Sequence, residues 1–269
     1  MIRLVNTRKY TLDIRPMAFS LSFFLNVENF HWTIPKNEQK QSSGDPNRNF
    51  EELRAEFSDL LTTFKFHQKS CVCAGTWTPE QNQLLLETII RKQGNTFENF
   101  VLSENYGEIS NQWILENIKV NSTLTTYGSF AQKGFIFKSC PKVFQSYGSS
   151  WITLDTLVSM GSCKAIEVSR NVLLTTTEIN SFMEMWKKDM FPNLEYLCLR
   201  NTKWKYNETI LGFTHEQLSV KRDEKRRKKI ECVTYDCDGG VDIQSNGGVN
   251  GRLHFEAVFK TVSFFVWKD

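Results

Sequence analysis

A short apolar pattern recurs along this chain, and it restricts the fold more than any other feature of the sequence. Phe97-Glu-Asn-Phe100-Val-Leu102-Ser-Glu-Asn105 fits an LxxLxLxxN template with aromatic residues at two apolar places. Cys163-Lys-Ala-Ile166-Glu-Val168-Ser-Arg-Asn171 fits it again. Leu194-Glu-Tyr-Leu197-Cys-Leu199 matches the apolar places, with its Asn early at 201. Leu61-Thr-Thr-Phe64-Lys-Phe66 and Leu124-Thr-Thr-Tyr127-Gly-Ser129 are weaker copies. The intervals between successive starts are 36, 27, 39 and 31 residues.

Helical periodicity fills the gaps. Pro79–Lys92 places Leu85 with Ile89 and Leu86 with Ile90 at i, i+4, with Thr78 as N-cap, Pro79 at the first helical position and Gly94 as a stop. Asn111–Lys119, Thr153–Met160 and Thr177–Lys188 repeat the pattern, the last capped by Thr176 or Thr177. Strand–helix alternation at this spacing predicts an α/β fold with a parallel sheet, in which neighbouring units bury each other's apolar faces. Period-two alternation then turns one set of residues outward on a shared sheet face. That set is Thr63, Lys65 and His67; Asn99, Val101 and Ser103; Thr126 and Gly128; Ala165, Glu167 and Ser169; and Tyr196, Cys198 and Arg200. From it Lys65, His67, Asn99, Val101, Ser103, Glu167, Ser169, Tyr196 and Arg200 are the candidate protein-binding residues.

The two ends read differently. Met17–Val27 and Phe30–Ile34 predict a strand or hairpin, and 35–49 a polar, turn-rich loop, so residues 1–50 form an N-terminal strand cap and 51–269 the repeat-like domain. Arg252–Ala257 and Thr261–Trp267 flank glycine-rich turns and predict an antiparallel β cap over 232–269. Between array and cap, Lys221, Arg222, Lys225, Arg226, Arg227, Lys228 and Lys229 outnumber two acids, a local charge of +5 in a chain of net +3. The rest of the chain is therefore slightly acidic. A basic loop at 219–231, solvated and mobile, is the expectation. Nuclear import or contact with a polyanion are its functional alternatives. No aromatic residue falls between 219 and 231, which speaks against nucleic acid.

Catalytic and metal chemistry find little support. GxGxxG, GxxxxGK[ST] and GxSxG are absent. The seven cysteines (71, 73, 140, 163, 198, 232, 237) and four histidines lack metal-ligand spacing and read as buried or free thiols of a reducing compartment. Asp236-Cys-Asp238-Gly239 lacks the Glu that would complete a calcium loop. No apolar run is long enough for a bilayer and no secretory leader is evident. The expectation is a non-enzymatic protein without cofactor, cytoplasmic or nuclear, whose partner is another protein and not a membrane. A hydrolase without a recognisable motif is the remaining enzymatic alternative.

Trp151-Ile-Thr-Leu-Asp-Thr-Leu157, Ile179-Asn-Ser-Phe-Met-Glu-Met-Trp186 and Pro192-Asn-Leu-Glu-Tyr-Leu197 together resemble the type 2 F-box-associated domain, a large nematode-expanded family. Trp113–Ile118, Gly240–Ile243 and Phe264–Trp267 look like further landmarks in the same order, so that the resemblance runs from about residue 50 to the end. It implies a leucine-rich-repeat-like strand–helix array that recognises protein substrates, in a family whose F-box docks the adaptor of a cullin-type ubiquitin ligase. Met1–Pro16 is too short for an F-box and lacks its opening Leu-Pro, so ligase docking is expected only with an F-box upstream. The alternatives are a stand-alone interaction domain and a nucleic-acid binder acting through the basic run.

Overall fold

The structure, a computed structural model, describes residues 3–7, 9–13, 21–25, 30–34, 51, 54–55, 58–59, 61–62, 69–73, 79–102, 108–128, 133–148, 150–169, 174–200, 207–231 and 233–267. The chain divides into two compact units, Met1–Asn121 and Ser122–Asp269. The division expected after residue 50 falls inside the first.

In the first unit, β1 (Arg3–Thr7), β2 (Lys9–Asp13), β3 (Leu21–Leu25), β4 (Phe30–Ile34), β5 (Lys69–Cys73) and β6 (Thr96–Leu102) lie in the order β1-β2-β4-β3-β5-β6. β2 with β4 and β5 with β6 are parallel pairs, and the rest are antiparallel. Helix α1 (Pro79–Gln93) joins β5 to β6, and α2 (Glu108–Asn117) follows. The template works on β6: Phe97, Phe100 and Leu102 are buried, together with Leu85, Leu86 and Ile89 of α1 and Ile114 and Leu115 of α2. It fails at 61–66. Leu61 and Thr62 are helical, and a strand that pairs with β6 is found instead at Lys69–Cys73. Leu61 is buried all the same.

The second unit is a mixed sheet. β7 (Lys119–Tyr127) straddles the boundary, and its Thr123–Tyr127 pair in parallel with β8 (Val143–Tyr147). β9 (Ala165–Ser169) and β10 (Tyr196–Arg200) continue the parallel array. β15 (Thr261–Trp267) adds antiparallel to β10, then β14 (Asn250–Glu256) and β13 (Val241–Gln244), so the expected antiparallel cap prolongs the sheet. β8 has no counterpart among the repeats, because Val-Phe-Gln-Ser-Tyr alternates without the leading LxxL spacing.

Helices α3 (Leu154–Ser159) and α4 (Thr176–Lys187) join β8 to β9 and β9 to β10. Both start in capping boxes. Thr153 and Thr156 exchange backbone-to-hydroxyl bonds. At α4 the Thr175 hydroxyl accepts from the Glu178 amide at 3.2 Å, while the Glu178 carboxylate accepts from the Thr175 amide at 2.7 Å. The cap is thus Thr175, one or two residues earlier than Thr176 or Thr177. Ile179, Phe182, Met183 and Trp186 are buried, and Trp186 meets Phe264 edge-on at 4.6 Å. Phe264 is register partner of Leu197, so α4 seals the sheet face that carries Leu197, Leu199, Ile166 and Val168.

The basic segment is not a loop. Lys221–Ile230 is strand β11, paired antiparallel with β12 (Val233–Gly239) as a separate ribbon after a short helix, α5 (His215–Leu218). Ladder bonds and inward side chains override the poor strand propensity of this lysine-rich sequence. Among the described residues, no helix is long and apolar enough to cross a membrane.

Candidate functional site

The face of the second sheet opposite α4 carries Val143 on β8, Ala165 on β9, Tyr196 and Cys198 on β10, and Phe265 on β15. The β11–β12 ribbon packs Ile230, Tyr235 and Cys237 onto these residues, with Val233 and Trp267 at the edge. Tyr196 and Tyr235 have ring centroids 3.9 Å apart, and Tyr196 lies 5.0 Å from Phe265. The basic strand is fixed over the same edge. Arg226 and Lys228 lie 5.5 and 5.4 Å from the Trp267 ring centroid, and Lys228 Nζ stands 3.2 Å from Glu195 Oε2. Arg222 reaches Asp242 at 2.7 Å, and Arg227 reaches Asp236 at 2.8 Å. Four of the six basic residues whose side chains are described, Arg222, Arg226, Arg227 and Lys228, thus contact other parts of this protein. Lys221 and Lys229 are exposed, and the Lys225 side chain lies outside the described residues. The alternation of β11 turns Lys228 and Ile230 toward the sheet and Arg227 and Lys229 toward solvent, so the described side chains of the run offer no uniform cationic face.

The ribbon covers the end of the face where the parallel strands begin. Toward their carboxyl ends, where open α/β sheets commonly take up ligands, a strip stays uncovered by the other described residues. Thr125 Oγ1 donates to Gln145 Oε1 at 3.3 Å, and Gln145 Nε2 donates to Glu167 Oε2 at 3.1 Å, a ladder across β7, β8 and β9. One pleat further, Tyr127 and Tyr147 stack at 5.0 Å with planes 13° apart, and Tyr127 is 40 % exposed. Arg200 is exposed at the end of β10, its guanidinium 5.7 Å from the Phe259 ring centroid, with Phe259 itself 57 % exposed. Burial, then the Glu167 and Tyr127 charges, push the Tyr147 phenol up, while Arg200 pulls it down. A phenol held above its ordinary value stays a neutral hydrogen-bond donor at neutral pH. Flat rings, amide and carboxylate acceptors and one guanidinium suit the side chains and backbone of an extended peptide.

Of the residues expected to form a binding face, Glu167 and Arg200 lie on this strip. Tyr196 is on the expected face but buried under the ribbon. Ser169 is buried, its hydroxyl donating to the Ser146 carbonyl at 3.4 Å. Ala165 and Cys198 are buried as well. Asn99 and Val101 are half-buried on β6 in the first unit, while Lys65, His67 and Ser103 lie outside the described residues. Thr126 was placed outward and is fully buried, its hydroxyl bonded to Ser146 Oγ at 2.9 Å. On β7 the template was one residue out of phase, and a one-residue slip exchanges the faces of a strand. The same slip hid Tyr127, and the missed β8 hid Gln145 and Tyr147. Alternation in Val-Phe-Gln-Ser-Tyr was the available signal.

Within the second unit, fold and strip define an α/β sheet with one face sealed by helices, part of the other sealed by a basic ribbon, and a polar–aromatic remnant left open among the described residues. Within it, residues 135–199 match the family model described as F-box associated. The resemblance read from Trp151–Leu157, Ile179–Trp186 and Pro192–Leu197 is borne out over that stretch, which runs from the segment before β8 to the end of β10. Searches of the curated proteins and of the solved structures returned no match.

Proposed function

We propose that this chain is a non-catalytic protein-binding module, the substrate-recognition part of an F-box-type ubiquitin-ligase subunit, acting in the cytoplasm or nucleus. In this reading its strand–helix units are stacked in leucine-rich-repeat fashion, and the Tyr127–Tyr147–Glu167–Arg200 strip takes the substrate. The observation that carries the proposal is a coincidence of place. The F-box associated match contains β8 and β9, whose Gln145, Tyr147 and Glu167 form the centre of the open strip. Engagement of Arg222, Arg226, Arg227 and Lys228 within the protein argues against nucleic acid as the partner.

The test is affinity capture with quantitative mass spectrometry, comparing the wild type with Tyr127→Ala/Arg200→Ala/Phe259→Ala. All three side chains are exposed, so the variant should melt with the wild type yet lose the proteins that the wild type enriches. Equal capture by both would overturn the assignment of the strip. Ligase docking is tested separately, by recovery of adaptor and cullin subunits when an F-box is fused before Met1. No recovery from that fusion would leave a stand-alone interaction domain.

A further inference from the structure

Asn246-Gly247 and Asn250-Gly251 are the same dipeptide, and the fold treats them oppositely. Both asparagines are exposed. Asn246 and Gly247 are the central residues of the turn that joins β13 to β14. The Gly248 amide closes that turn on the Ser245 carbonyl at 3.0 Å, and Gly248 takes φ +84°, the left-handed conformation that commonly follows such a turn. Gly247 is exposed, and among the described residues neither its amide nor the Asn246 side chain has a hydrogen-bond partner. Gly251 lies instead inside the sheet, paired with Ile243 of β13 on one side and Val266 of β15 on the other. It is buried, and the Phe264 ring leaves no room for a Cβ there. The turn is also an anchor. The Asn246 amide donates to the Lys187 carbonyl at the end of α4, at 2.7 Å, and Ser245 Oγ donates to Asp189 Oδ1 at 2.6 Å. Gly247 abuts the same carboxylate, so closely that a Cβ would lie 2.9 Å from Asp189 Oδ2.

We propose that Asn246 is a deamidation site of the folded protein, and that its conversion loosens the β13–β14 hairpin from α4. Hydroxide takes the Gly247 amide proton, and the Gly247 nitrogen attacks Asn246 Cγ. The new N–C bond closes a five-membered succinimide, the Cγ–Nδ2 bond breaks, and ammonia leaves with a proton from water, which restores the hydroxide. Water then opens the ring at either carbonyl, giving aspartate or isoaspartate. Glycine suits the step because no Cβ crowds the attacking nitrogen and its backbone turns freely. At Gly251 the same attack requires the ladder to part first, so Asn250 reacts only from locally opened states. Either product puts a negative charge into a turn that already abuts the Asp189 carboxylate, and like charges at close range repel. Isoaspartate also inserts a carbon into the main chain between Ser245 and Gly247. Both changes work against the bonds to Lys187 and Asp189. This modification site is independent of the protein-binding strip.

The full chain, kept in warm, mildly alkaline buffer, carries its own control. Trypsin releases both asparagines on one peptide, 230–252, and fragmentation in the mass spectrometer locates the exchange of NH2 for OH. In the native chain Asn246 should convert at least about 10-fold faster than Asn250, since the ladder is open only a small part of the time. In guanidinium the two rates should converge. The converted protein, separated by its extra charge, should melt below the unconverted protein. Asn246→Gln keeps a neutral amide in the turn but lengthens the side chain, so it should remain unmodified at 246 and hold its melting temperature through the incubation. A native chain in which Asn246 stays unconverted, or converts no faster than Asn250, would overturn the site. Converted and unconverted protein melting together, or Asn246→Gln losing melting temperature as the wild type does, would overturn the loosening of the hairpin.

Discussion

Truncation of Tyr235 to alanine should detach the basic ribbon from the sheet, and trypsin is the natural reporter. Tyr235 is buried against Tyr196 and lies among Ile230, Cys237 and Phe265. Truncating a buried aromatic ring costs about 3–5 kcal/mol. The low end applies here, because Tyr235 keeps 8 % exposure at the margin of the cluster and the ribbon can settle. A loss of about 3 kcal/mol on the opening equilibrium raises the lifted population by about 100-fold. Trypsin cleaves after lysine and arginine in extended, accessible chain, and β11 contains seven such residues. The wild-type protein should therefore be cut within 221–229 slowly, and Tyr235→Ala about 100-fold faster, at protease concentrations where opening is at equilibrium. Tyr235→Phe keeps the ring and should stay within about 5-fold of the wild type, the equivalent of 1 kcal/mol. A wild-type protein cut in this segment as quickly as Tyr235→Ala would show that the run is a solvated loop, and the ribbon's role as a cover would fall.

Three further outcomes follow from the same geometry. Thr175→Ala removes the hydroxyl that caps α4 and should lower the urea-unfolding free energy by about 1 kcal/mol, with no change expected in the binding strip. Gly240→Ala drives a methyl group against the Leu253 carbonyl oxygen at φ +100°. The backbone strain alone costs about 1–3 kcal/mol, so the variant should melt well below the wild type. Partial burial would raise the Asp242 carboxyl, but hydrogen bonds and charges from Arg252 and Arg222 outweigh it and hold the group below its ordinary value. A depressed carboxyl stabilises the fold above its unfolded pKa, near 3.9, and that stabilisation disappears as pH falls through the folded value. Asp242→Asn leaves the buried Arg252 guanidinium without its counter-charge and should cost about 1–3 kcal/mol at pH 6. The gap from the wild type should narrow in denaturant titrations at pH 3, and an equal gap at both pH values would refute the pairing.

The repeat was legible wherever local periodicity and burial agree. Phe97 with Phe100 and Leu102, Ile166 with Val168, and Leu197 with Leu199 all sit inward as their spacing predicts. It misled where a tyrosine could be read as apolar or solvent-facing. Tyr127 took the place of an inward leucine and faces the strip, while Tyr196 was read as open and lies under the ribbon. β8 escaped because five alternating residues carry too little pattern to be told from loop. The hydrogen bonds at the α4 cap are local in sequence, and they displaced the helix start by only one residue.

What the chain's order of residues determined by itself is therefore the menu: short strands of period two, helices of period 3.6, and the rough positions at which each begins. Those depend on neighbours within a turn or a pleat. Which sheet face was left open depended on Tyr235 meeting Tyr196 and on Lys228 meeting Glu195 and Trp267, contacts between segments 33–39 residues apart. A run of cations has no apolar signature to announce such a role. Only when the ladder with Val233–Gly239 aligns it do its aliphatic stems and Ile230 come to lie on one side, and only the folded sheet supplies the surface they cover.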